Sequence, residues 1–182
     1  MYSNEELVKL LKNGGMAVIP CDTIYGICAS ALNKDSVEQV YSIKGRNPSK
    51  PCIILVASAG DVIDNFLLEK SMLTKTKRYW PGPVSIVIDC DLSQFNYLHR
   101  GNGSIAFRVP GVKALRDFLK QTGPLIAPSA NPENSPPATT IQEAYKYFGD
   151  KIDYYLDGGT IVGKPSRIIR ITLGDKPKIL RG

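Results

Sequence analysis

Apolar positions along the chain fall into alternating stretches of helical and extended spacing. Leu7, Val8, Leu10 and Leu11 follow Ser3 and Glu6, the spacing of a capping box, and Gly14 and Gly15 end the helix it opens. Residues 16–19 form a short apolar run that reads as a strand, and after the polar break Pro20, Cys21, Asp22, Thr23 the chain resumes as Ile24, Tyr25, Gly26. Val37, Val40, Tyr41 and Lys44 stand at i, i+3, i+4 and i+7, which predicts a helix over residues 35–44 stopped by Gly45 and Pro48. Residues 52–56 are apolar on both faces, as in a strand with helices above and below it. Two helical segments fill roughly 60–79, and Trp80, Pro81, Gly82 and Pro83 make a rigid turn into a strand over 84–88. A loop, a strand over 104–109 stopped by Pro110, a helix over 112–121 and a short strand over 125–127 follow. Beyond the Pro-rich loop PSANPENSPPA, Thr140 and Glu143 form a second capping box for a helix to Phe148. Strands near 154–156, 168–172 and 178–180 close the chain.

Helices and strands thus alternate without an internal repeat or a linker long enough to divide them, so the reading is one α/β domain over residues 1–182. The Pro- and Gly-rich breaks favour a mixed sheet over a purely parallel one. Composition agrees: 43% hydrophobic and 22% charged residues in 182 exclude a disordered or collagen-like chain. The longest apolar runs, 53–57 and 84–88, fall far short of the roughly 20 residues of a membrane-spanning helix. The N-terminal stretch has neither the cationic start nor the apolar core of a signal peptide, so a cytoplasmic protein without membrane partners is expected.

Lys and Arg number 23 against 17 Asp and Glu, a net charge of +6 that points to an anionic partner. Nucleotide, nucleic acid, membrane surface and a merely solvated basic exterior all remain open. Cys21, Cys28, Cys52 and Cys90 show no C-x-x-C spacing and His99 is the only histidine, which argues against a closed zinc site and against a Ser-His or Cys-His catalytic pair. The thiols read as reduced and mostly buried, and no metal ligands are assigned.

Several constellations carry two readings. Residues 158–166, GGTIVGKPS, match the P-loop spacing until Pro165 stands where a Ser or Thr should be, and the β-formers that follow deny the motif its helix. Lys44, Arg46 and Lys50 lie where a helix gives way to a loop, which suits either ordinary C-terminal capping or a clamp on phosphate oxygens. Ser129 and Asn131 follow a predicted strand, where small polar groups serve as turn formers or as ligand contacts. Residues 22–26, DTIYG, suit a bulge in a strand or the polar lip of a cavity. Arg108 interrupts an apolar strand and must find a carboxylate or phosphate, from the protein or from a ligand.

Taken in order, PCDTIYGIC, KGRNPSKP, WPGPVS, SIAFRVP, PLIAPSAN, GKPS and ILRG resemble the YrdC-like family of threonylcarbamoyl-AMP synthases, of the single-domain TsaC type, over about residues 15–181. The resemblance implies a twisted open mixed sheet with flanking helices around a positively charged cavity. It also implies a nucleotidyltransferase that converts threonine, bicarbonate or CO2, and ATP into threonylcarbamoyl-adenylate and pyrophosphate. The adenylate then serves a downstream transferase complex that builds threonylcarbamoyladenosine beside the tRNA anticodon, and direct contact with tRNA is left open. Carried over by motif, Lys44 and Arg46 are the catalytic cations. Thr23, Arg108, Ala127 and Ser166 line the threonine site, and Lys44, Arg46, Lys50, Ser104, Ser129, Asn131 and Arg181 hold the nucleotide. ATP is a substrate and magnesium arrives with it.

The carbamate of threonine is already an oxygen nucleophile, so positioning and charge stabilisation suffice and no enzyme nucleophile is needed. Four places depart from the family pattern: Asp22 for a glutamate, Leu55 for a histidine, Pro132-Glu133-Asn134 after Asn131, and Arg170 where an acid is usual. Two other classes compete. One is an RNA-binding module of the same fold without synthase activity. The other is a sugar-phosphate lyase of the dihydroxybutanone-phosphate synthase fold, which requires an acidic metal cluster that no dense Asp/Glu motif here provides.

Overall fold

The computed structural model describes residues 2, 4–68, 70–172 and 176–182. Among these residues nine strands form one mixed sheet. In chain order they are β1 Ala17–Pro20, β2 Tyr25–Ser30, β3 Ile53–Leu55, β4 Val84–Asp89, β5 Ser104–Arg108, β6 Leu125–Ile126, β7 Tyr154–Tyr155, β8 Arg167–Arg170 and β9 Lys178–Arg181. Their order across the sheet is β7-β1-β2-β6-β3-β5-β4-β8-β9. Pairing is parallel for β7 with β1, β3 with β5 and β4 with β8, and antiparallel elsewhere. The expected open mixed sheet is therefore present.

Among the described residues seven α-helices accompany the strands: α1 Glu5–Lys12, α2 Lys34–Lys44, α3 Ala59–Phe66, α4 Lys70–Thr76, α5 Asn96–His99, α6 Lys113–Thr122 and α7 Ile141–Phe148. Their starts refine the sequence reading. Asn4 caps α1, its side chain accepting from the N–H groups of Glu6 and Leu7, while the expected cap Ser3 lies outside the described residues. Thr140 does cap α7 through Glu143 N–H, yet the Glu143 carboxylate accepts from the N–H of Thr139 instead of closing the box on Thr140. A full capping box forms at Ser58 and Asp61, at the start of α3. The turn α5 lies in a stretch expected to be loop. The extended segment that resumes after the polar break forms a strand that runs on to Ser30, with Ile27, Cys28 and Ala29 all buried. The one expected over 168–172 stops at Arg170, before residues 173–175, which lie outside the description.

Strand alternation sorts the core onto two faces. On one, Val18, Ile27, Ile54, Ile86, Phe107 and Ile169 pack beneath α2, α3, α5 and α7. On the other, Ala17, Ile19, Cys28, Leu55 and Leu125 pack beneath α1 and α6. Among the described residues the second face has no such apolar cluster on β5, β4 and β8. There the alternation turns Ser104, Ala106 and Arg108 of β5 to the same side as Ser85 of β4 and Ile168 of β8. Polar side chains occupy strands at the centre of the sheet where no helix stripe requires apolar ones. This half-covered face holds the site.

Phe107, immediately before Arg108, is fully buried with its ring 4.8 Å from that of Phe66 at 61°. Replacing it with alanine should lower the unfolding free energy by about 3–5 kcal/mol in a urea titration. A loss below about 1 kcal/mol would mean that this layer is not close-packed.

Candidate active site

Arg108 ends β5 with a side chain only 5% exposed. Its Nη2 lies 2.9 Å from Oδ1 of Asp22, itself 4% exposed, and the other Asp22 oxygen accepts from Gly111 N–H at 3.1 Å. The counter-charge that the sequence demanded thus comes from one of the positions where the chain departs from the family pattern. The approach is close but not aligned for a hydrogen bond, and among the described residues Asp22 Oδ1 and Arg108 Nε each lack one. A buried charge pair in that state retains hydrogen-bonding capacity for a ligand.

The P-loop-like segment proves to be an extended strap followed by β8, with no helix, as the β-formers required. The Tyr25 hydroxyl accepts from Gly158 N–H and donates to the Gly159 carbonyl, both at 2.8 Å, which pins the strap to β2. At Gly163 a Cβ would come within 1.8 Å of the Thr23 carbonyl oxygen, so only glycine allows this approach. The strap thereby delivers Pro165 and Ser166 to the cavity wall. Ser166 is buried, with its Oγ 2.8 Å from Ser85 Oγ, and its carbonyl accepts from Arg181 Nη2 at 2.6 Å and Nε at 3.1 Å. Partial burial, and the neighbouring charge of Arg108 after it, hold the Arg181 guanidinium below its ordinary pKa.

The third cation comes from the end of α2. Gly45, in the left-handed region at φ 57°, turns the chain so that Lys44 points inward while Arg46 starts the next loop. Arg46 curls that loop onto itself, donating to the carbonyls of Lys50 at 3.1 Å and Pro51 at 3.0 Å. Lys44 is buried and donates to the carbonyl of Ser129 at 2.5 Å and to that of Asn131. Burial, then Arg46, depress its pKa to about 8.

These parts enclose a cavity of about 170 Å³. Thr23, Arg46, Arg108, Ala127, Ser129, Ser166 and Arg181 line it, which brings together seven of the sequence-named positions. Among the described lining residues, three are arginines and none carries a carboxylate. The Thr23 hydroxyl makes no hydrogen bond among the described residues. Four named positions stand off the wall. Lys44 braces the loop that carries Ser129. Asn131 shapes the same loop, donating to the carbonyls of Pro132 at 2.9 Å and Ser135 at 2.7 Å. Lys50 pairs with Glu133 at 2.6 Å. Ser104 begins β5 on the face of Arg108, about 13 Å away at the usual rise per residue. Cys21 and Cys52, read only as buried thiols, line the cavity as well. Ser85, whose one sequence signal is a hydroxyl inside the apolar run VSIVI, touches the lining residue Ser166 from β4.

Residues 9–182 match the profile of the Sua5/YciO/YrdC family, described as telomere recombination. A threonylcarbamoyl-AMP synthase of Marinobacter nauticus is 32% identical over 169 residues, spanning 90% of this chain and 88% of the relative. A threonylcarbamoyl-AMP synthase of Pyrococcus abyssi is 31% identical, but this chain spans only 48% of its length. The crystal structure of P. abyssi Sua5 complexed with L-threonine superimposes with a TM-score of 0.85 at 28% identity, covering 97% of this chain and 52% of that one.

The buried ammonium sets a pH test. Lys44 has a folded pKa near 8 against 10.5 for the free side chain, so between those values the unfolded chain binds the extra proton and folding stability rises with pH. The stability of the wild-type protein minus that of Lys44→Met, from denaturant titrations, should therefore climb from about pH 8 toward pH 10 and be level below pH 8. A difference that stays level throughout would show that the ammonium is not desolvated.

Proposed function

We propose that this chain, which belongs to the Sua5/YciO/YrdC family, is a threonylcarbamoyl-AMP synthase. The observation that carries this reading is the convergence of Arg46, Arg108 and Arg181 on one cavity whose wall carries no carboxylate. Three guanidiniums so placed call for a ligand with several negative charges, such as an amino-acid carboxylate beside a polyphosphate.

In this reading Arg108 holds the threonine carboxylate and the Thr23 hydroxyl faces that of the substrate, with Ala127 and Ser166 completing the wall. The threonine nitrogen adds to CO2 and loses a proton. One oxygen of the resulting carbamate attacks the α-phosphorus of ATP, the bond to the bridging oxygen breaks, and pyrophosphate departs with its electron pair. Arg46, Lys50 and Arg181 stabilise the phosphate charge that shifts toward the leaving group, while Ser104, Ser129 and Asn131 position the nucleotide. Lys44 acts through the Ser129 and Asn131 carbonyls, as a positioning residue. Among the described residues no three carboxylate, thiol or imidazole groups cluster to cage a metal ion, and magnesium would enter bound to the phosphates it neutralises.

The adenylate would pass to a transferase that modifies tRNA, in the cytoplasm. Among the described residues no helix is long and apolar enough to cross a membrane.

Pyrophosphate should appear from ATP only when threonine and bicarbonate are both present, with the adenylate identified by mass. Release without threonine would reject the reading, and absence of release with all three would favour a binding module. Arg46→Ala should lose about 2–4 kcal/mol of transition-state stabilisation in kcat/KM while its thermal midpoint hardly moves. Serine lacks only the methyl group and should be disfavoured about 10- to 200-fold, whereas valine should be rejected more strongly because it leaves the Thr23 hydroxyl unpaired. Valine turning over as well as serine would remove Thr23 from the role.

A further inference from the structure

The loop that follows Arg46 and the loop that follows Asn131 meet at the rim of the cavity, and a carboxylate joins them. Glu133 Oε1 lies 2.6 Å from Lys50 Nζ, and Oε2 accepts the backbone N–H of Asn47. The Glu133 N–H donates to the Lys44 carbonyl at 2.9 Å, which fixes the carboxylate's own backbone on the end of α2. The Glu133 side chain is 19% exposed, while that of Lys50 is 57% exposed. Lys50, the Asn47 N–H and, at longer range, the charge of Arg46 hold the Glu133 carboxyl below its usual pKa, so it is an anion at neutral pH.

A carboxylate accepts hydrogen bonds and donates none, as does a phosphate. The two groups that Glu133 engages, an ammonium and a loop N–H beside an arginine, are the donors from which phosphate sites are assembled. Lys50 cannot give its full charge to a nucleotide while Glu133 holds it, and a polyphosphate arriving at the rim meets that carboxylate as a like charge. We propose that Glu133 is an internal oxyanion that occupies Lys50 and the Asn47 N–H in the free protein and yields them to the nucleotide's phosphate, setting ATP affinity as a positioning residue. The proposal rests on the synthase reading for the identity of the displacing anion. Because Lys50 is more than half exposed, solvent screens the pair, the exchange is shallow and the effect on affinity is modest and measurable.

The test measures binding of inorganic triphosphate, without magnesium, by calorimetry to the wild-type chain and to Glu133→Gln and Glu133→Ser, with folding checked by circular dichroism. Both variants should bind triphosphate about fivefold tighter. In the pyrophosphate-release assay the KM for ATP should fall with it, by more than any change in kcat. If the wild type binds triphosphate and both variants bind it equally or more weakly, Glu133 merely braces the two loops. The proposal is then overturned while the synthase reading stands. If no form binds triphosphate or ATP, the site takes no polyphosphate and both are overturned.

Discussion

Arg108 brings a permanent positive charge to the end of a central strand, and burying it there requires a counter-charge close by and acceptors for its remaining N–H groups. Asp22 supplies the first, at 2.9 Å, and is itself fixed by Gly111 N–H. Much of the surrounding architecture follows from housing this guanidinium. Its strand is packed on one face by Phe107 and Val109, which leaves Ser104, Ala106 and Arg108 for the other. The Arg108 Nε that makes no hydrogen bond marks the direction in which the protein is incomplete.

The topology determines why such a residue can be present at all. Helices α1 and α6 cover β1, β2, β6 and β3 on the second face, and their apolar stripes give no cover to β5, β4 and β8. A concave space is left, and the strap over residues 157–166 walls it on one side. Tyr25, Gly158 and Gly163 hold that strap by hydrogen bonds and by close approach. Arg181 reaches the same space from β9, which pairs with β8 so that Ile168 lies opposite it. Three guanidiniums distant in the chain are gathered by strand pairing and by one left-handed glycine, Gly45.

Much of this was legible in the sequence. The alternation of helical and extended spacing located most elements, and Arg108 betrayed itself as a charge inside an apolar strand. Motif order gave seven of the cavity-lining residues. What stayed hidden depends on contacts distant in sequence. That the Lys44 ammonium is spent on loop carbonyls follows from partners 85 and 87 residues later, and no local pattern encodes them. The Ser85 to Ser166 pairing arises from the parallel register of β4 and β8. In the sequence Asp22 and Glu133 stand only as departures from a pattern, whereas their partners, Arg108 and Lys50, show what each carboxylate does.

The central claim is that the surplus guanidinium charge of this cavity is completed by anionic ligands, and thermal stabilisation by matched ligands tests it most directly. A ligand at about 100 times its Kd stabilises the folded state by about 2.7 kcal/mol, enough to move the midpoint by several degrees. ATP and threonine should each raise the midpoint, and adenosine and threoninamide, which keep the shape but lack the phosphates or the carboxylate, should not. Adenosine and threoninamide stabilising the protein as strongly as their charged counterparts would contradict the account.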